Sequence, residues 1–100
     1  MANYKFTNKA VDDITNIWNY TFGTWSELQA DNYYQMLLEN CKEIANNPDL
    51  GKNYFSVTTD LKGIKAGRHI IFYRKIKEEY VEITRILHEQ MDLKNRLLEK

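Results

Sequence analysis

The feature that most constrains this chain is a pair of runs near its C-terminal end. Ile70 to Ile76 and Tyr80 to Leu87, both rich in β-branched and aromatic residues, flank the polar tripeptide Lys77-Glu78-Glu79. That order predicts a β-hairpin. Both runs carry apolar side chains on both parities: Ile70, Phe72 and Ile76 with Ile71 and Tyr73 in the first, Val81, Ile83 and Leu87 with Ile86 in the second. A strand with one solvated face alternates apolar and polar residues, so these runs predict strands covered on both faces. The rest of the chain, or a partner, has to supply that cover.

One hundred residues with 43% hydrophobic content are enough for one core and too few for two, so a single domain spanning 1–100 is expected. No run approaches the ~18 apolar residues of a membrane span. Met1 to Thr7 lacks the apolar stretch of a secretory signal, and a cytoplasmic protein is expected. The single cysteine, Cys41, excludes an intramolecular disulfide and a multi-thiolate metal site. Net charge is zero but unevenly spread: residues 1–60 hold four Lys/Arg against eight Asp/Glu, and residues 61–100 hold ten against six. The basic C-terminal half suits an acidic partner.

Asn3 to Phe6 reads as a short strand, after which Thr7 is placed to cap a helix by accepting from first-turn amides. Ala10, Ile14, Ile17, Trp18 and Phe22 follow a 3.6-residue spacing that ends at Gly23. A second helix starts at Thr24 or Ser26, both of which fit a capping box, and carries the stripe Ala30, Tyr33, Tyr34, Leu37, Leu38, Cys41, Ile44 and Ala45. Asn46-Asn47-Pro48 ends it, because proline lacks the amide and disfavours helical geometry before it. Cys41 therefore reads as a small buried core residue. Leu61 to Ala66 reads as a strand that reverses at Gly67 into the hairpin, and Asp92 as the cap of a short helix from Leu93 to Leu98.

These elements predict an α+β fold. An N-terminal strand precedes an antiparallel helix hairpin packed on a small antiparallel sheet, in the order β-α-α-β-β-β, with a short C-terminal helix or tail. The helix hairpin covers one sheet face. The other carries either His69, Ile71 and Tyr73 or Ile70, Phe72 and Arg74, and is expected to be an apolar, basic-rimmed groove left vacant for a partner.

Several local strings, in this order, resemble the ParE toxins of the RelE/ParE superfamily over nearly the whole chain. The most specific is Arg85-Ile-Leu-His-Glu-Gln-Met-Asp92, similar to that family's Arg-Ile-Leu-His-x-x-Met-Asp signature. His69-Ile-Ile-Phe-Tyr73, Asn47-Pro-Asp-Leu-Gly51, Ala10-x-x-Asp13-Ile14-x-x-Ile17 and Trp25 ahead of Gln29-Ala30 support it. The resemblance implies a toxin of a type II toxin–antitoxin module that binds DNA gyrase and traps it on cleaved DNA. It also implies a ParD-type antitoxin whose tail folds on the toxin. On that reading Arg74, Arg85, His88 and Met91 bind the antitoxin, while Trp25, Leu93 and Arg96 contact gyrase.

The alternative within the superfamily is a ribosome-dependent messenger RNA endonuclease of the RelE type, for which Arg68, Arg85 and His88 are the catalytic candidates. RNA cleavage through the 2′-hydroxyl needs a base, an acid and cations on the phosphate. No tyrosine follows Tyr80, whereas the nuclease branches place one near the C-terminus. Arg85 has an internal alternative, an ion pair with Glu82 or Glu89. His88, at the close of a strand, reads as a structural hydrogen-bonder, and His69 as packed and hydrogen-bonded. Two histidines without a third ligand make no metal site. No phosphate loop, nucleophile elbow or carboxylate pair occurs, so no cofactor and no sequence-specific nucleic-acid binding by the isolated chain are expected.

Overall fold

The computed structural model describes residues 2–54, 60–91 and 93–98. In chain order the elements are β1 (Asn3–Phe6), α1 (Asn8–Thr24), α2 (Glu27–Asn46), β2 (Lys52–Asn53), β3 (Lys62–Ala66), β4 (His69–Lys77), β5 (Tyr80–His88) and α3 (Leu93–Leu97). Thr7 caps α1 through its hydroxyl, which accepts from the Ala10 amide at 3.0 Å. α1 runs through Gly23 to Thr24, just past the glycine expected to end it. Of the two capping residues open for α2, Ser26 is the one used, its Oγ accepting from the Gln29 amide at 3.1 Å. The Asp92 cap expected for the last helix lies outside the described residues.

The sheet has five strands in the order β1-β5-β4-β3-β2. β2 to β5 form an antiparallel meander, but β1 lies parallel to β5, from Asn3 beside Tyr80 to Phe6 beside Ile83, so the sheet is mixed rather than antiparallel. Parallel neighbours need a long crossover, and the helix hairpin supplies it. Gly67 sits at φ 61° in the reversal between β3 and β4, a left-handed backbone that costs glycine little.

Against the helices, β4 and β5 turn Ile71, Tyr73, Val81, Ile83 and Ile86, which pack with Ala10, Ile14, Leu37, Cys41, Ile44 and Ala45. The Cys41 thiol is pushed up to about 12 by burial, which fits an inert core residue. The opposite face is not vacant. Leu61, Phe72 and Leu87 form a second small core there, flanked by Tyr54, Ile70, Leu93 and Leu97. α3 and the segment entering β3 thus cover the face that the sequence left to a partner.

A register shift between Phe72 and Tyr73 explains how β5 serves both cores. Phe72 is opposite Arg85 and Tyr73 opposite Ile83, so Thr84 is the extra residue of a bulge. Before it the odd positions Val81 and Ile83 face the helices; after it the even position Ile86 does, and Leu87 turns to the second core. Tyr73 locks the loop after α2 to the sheet: its hydroxyl donates to the Pro48 carbonyl at 2.7 Å and accepts from the Gly51 amide at 2.9 Å. A Cβ on Gly51 would stand 2.7 Å from that hydroxyl and 2.9 Å from the Gly63 carbonyl, so only glycine fits.

Candidate functional site

β1 accompanies β5 only as far as Ile83, and beyond that point the outer edge of β5 lies against α1. Side chains from the start of α1 take over the edge. The Thr7 amide donates to the Ile83 carbonyl at 3.0 Å and its hydroxyl to the Thr84 carbonyl at 2.8 Å. Further along α1, the Asp13 carboxylate accepts from the Ile86 amide at 3.0 Å. It also accepts from Arg85, at 2.8 Å from Nε and 3.0 Å from Nη2. The two side chains are only 13% and 12% exposed, so this is a bidentate pair withdrawn from water. A third donor of Arg85, Nη1, reaches the Arg96 carbonyl of α3 at 3.1 Å. One guanidinium therefore ties the first helix, the last strand and the last helix together.

Beside this pair runs an open groove of about 970 Å³ between α1 and the end of β5. Ile17, Tyr20 and Trp25 line its helix side, Ile86, His88 and Met91 its strand side, and Tyr33, Arg68 and His69 line it as well. Lys9 and Arg96 also face it. The Tyr33 hydroxyl accepts from the Arg68 amide at 3.0 Å, which leaves its own proton for His69 Nδ1 at 2.6 Å. This network assigns the His69 proton to Nε2 and the neutral form to the ring. Burial, reinforced by the neighbouring His88, lowers its pKa to about 4. The His88 ring stands edge-on to His69 at 5.3 Å between centroids, and its Nδ1 accepts from the Gln90 amide at 3.1 Å.

The structure gathers Trp25, Arg68, Arg85, His88, Met91 and Arg96 around this one groove. Arg74 is elsewhere, lining a separate pocket of about 200 Å³ with Glu82, Thr84 and Leu97. Leu93 packs against the second core. The internal partner of Arg85 is Asp13 on the first helix, not Glu82 or Glu89. Asp13 and Tyr33 are the groove residues whose roles sequence reasoning missed. For Asp13 a signal existed: it occupies the i+3 position of the stripe Ala10, Ile14, Ile17, and a carboxylate on a buried stripe needs a cationic or amide partner.

Residues 4–93 match the family described as "ParE toxin of type II toxin-antitoxin system, parDE". The chain belongs to this ParE family. It is 30% identical over 97 residues to Toxin ParE1 of Caulobacter vibrioides, covering 97% of this chain and 99% of that protein. It is 28% identical over 96 residues to Toxin ParE1 of Mycobacterium tuberculosis, covering 96% and 98%. A solved structure titled "Chromosomal ParDE TA system from P. aeruginosa" superposes with a TM-score of 0.73 at 20% identity, over 88% of this chain and 96% of that one, which shows a shared fold. As a ParE-family protein the chain is the toxin of a type II toxin–antitoxin pair, and an antitoxin is its partner. The ParE-like strings meet in space: Asp13 holds Arg85, and the Pro48-to-Gly51 turn holds Tyr73. Among the described residues no cluster of three or more His, Cys, Asp or Glu could hold a metal ion, and no helix is long and apolar enough to cross a membrane.

Proposed function

We propose that this toxin acts in the cytoplasm by binding DNA gyrase and trapping it on cleaved DNA, and that a ParD-type antitoxin neutralises it by laying a tail in the groove beside α1. The observation that carries this reading is the groove itself. It is open, floored by Ile17 and Ile86, and rimmed by Trp25 at 70% and Met91 at 42% exposure with Lys9, Arg68 and Arg96 nearby. An amphipathic acidic segment that folds on binding fits such a surface. His88 and Met91 are the strand-side antitoxin contacts, Arg85 shapes the wall between them and α1, and Trp25 and Arg96 are offered to gyrase.

One observation favours inhibition by binding over RNA cleavage. Arg85, the cation a nuclease would aim at the phosphate, is held by Asp13 at 2.8 Å. A gyrase supercoiling assay on purified toxin is the direct test. Linear DNA should accumulate after detergent and protease treatment, and coexpressed antitoxin should abolish it. Normal supercoiling at saturating toxin, or codon-dependent cuts in transcripts after induction, would sink the reading.

A further inference from the structure

The groove also offers groups that an acidic helix alone does not require. Tyr20 and Trp25 stand on its helix side with 71% and 70% of their surface exposed, which leaves aromatic surface open to a ligand. Half-buried Lys9 and exposed Arg68 and Arg96 set cations along the same groove. The acids that line it are Asp12 and Asp13, the latter paired with Arg85, and the cations are Lys9, Arg68, Arg85 and Arg96. Aromatic planes set among cations, in an open trough rather than on a flat surface, are the chemistry by which proteins hold unpaired nucleic-acid strands. A duplex presents phosphates but keeps its base faces stacked, so it can use only half of this set.

We propose that the groove holds a short single-stranded polynucleotide, with bases stacked on Trp25 and Tyr20 and phosphates against Lys9, Arg68 and Arg96. Cleaved DNA and RNA share this chemistry. In the setting proposed above, the toxin would grip a strand exposed at the gyrase break, and an antitoxin tail would release it by covering the same aromatics. That consequence rests on the gyrase and antitoxin reading; strand binding itself does not.

The test uses the free full-length toxin and fluorescein-labelled oligo-dT and oligo-U of about 15 nucleotides, followed by anisotropy between 50 and 200 mM salt. Both should bind, with log K falling against log salt at a slope of about −2 for roughly three phosphates on a single strand. Trp25→Ala should weaken binding about tenfold or more. Arg68→Glu should weaken it and Asp12→Asn tighten it. Lys75→Glu/Lys77→Glu, at the hairpin tip and outside the groove, should change it less than twofold. Thermal melts of each variant separate lost binding from lost fold, and a tenfold preference for one sugar identifies DNA or RNA as the strand. No binding up to about 100 µM, the weak end of non-specific affinity, overturns the proposal. Equal loss in the hairpin-tip variant does so too, since it would mean diffuse attraction to the basic half. Gyrase trapping that persists without strand binding would remove this inference and leave the function above intact.

Discussion

Replacing Asp13 by alanine should be among the most damaging single changes to this fold, although the residue is charged and lies on an outer helix. The carboxylate has two donors from Arg85 and one from the Ile86 amide, all between 2.8 and 3.0 Å, and both ionised side chains are nearly withdrawn from solvent. Removing one partner of a buried pair costs roughly 3–5 kcal/mol because the other charge stays buried. The orphaned amide adds roughly 1–3 kcal/mol, partly the same free energy, so about 4 kcal/mol is expected. Against a total stability of roughly 5–15 kcal/mol for a domain of this size, that is a large share. With an m-value of about 1.5 kcal/mol/M, the urea midpoint should fall by about 2–3 M, read from the fluorescence of Trp18 and Trp25. Asp13→Leu/Arg85→Met should recover much of the loss, because an apolar pair leaves no stranded charge. The reasoning is refuted if Asp13→Ala costs under about 1 kcal/mol, the scale of an exposed pair such as Lys65–Glu89 at 3.0 Å. Strict additivity of the two single changes would refute it as well.

Leu87→Ala should cost about 2–5 kcal/mol in thermal or urea unfolding if the second sheet face is a closed core, since Leu87 is only 2% exposed there; a loss near zero would restore that face as a vacant groove. Gly51→Ala should lower Tm by several degrees, because its Cβ meets the Tyr73 hydroxyl and the Gly63 carbonyl, and Tyr73→Phe should partly relieve that clash in the double variant. His69 titrates near 6.5 when unfolded and near 4 when folded, so the unfolded chain binds more protons between those values. Its contribution is therefore complete above pH 6.5 and lost as pH falls toward 4, by about 1–2 kcal/mol once screening of a half-buried ring is allowed for. His69→Gln should flatten that part of the pH–stability curve, and an unchanged slope would show that the ring does not carry it.

Apart from the two-residue β2, which the sequence did not announce, the order of elements was readable because each is announced locally. Thr7 and Ser26 can cap only a helix that begins immediately after them, Pro48 ends α2, and the β-branched runs around Lys77 to Glu79 can scarcely form anything but a hairpin. Trp25, Arg85, His88 and Met91 were legible because the family-like strings contain them, but their arrangement was not. Arg85 had two acids close by in sequence, and its partner lies 72 residues away. No local rule ranks a distant carboxylate above a near one. Tyr33 looked like one more member of an apolar stripe, and only the arrival of Arg68 and His69 at its hydroxyl gives it a second role.

The apolar residues on both parities of the hairpin already determined that both faces of this sheet would be covered. What covers them was a tertiary decision. The helix hairpin takes one face because the parallel β1–β5 pairing fixes where α1 begins. Leu61, Leu93 and Leu97 take the other because a bulge at Thr84 turns Leu87 toward them. The open surface therefore lies in the trough beside α1 and not on the sheet face. Hydrophobic periodicity records how many faces are buried, but not which distant segment, or which molecule, buries them.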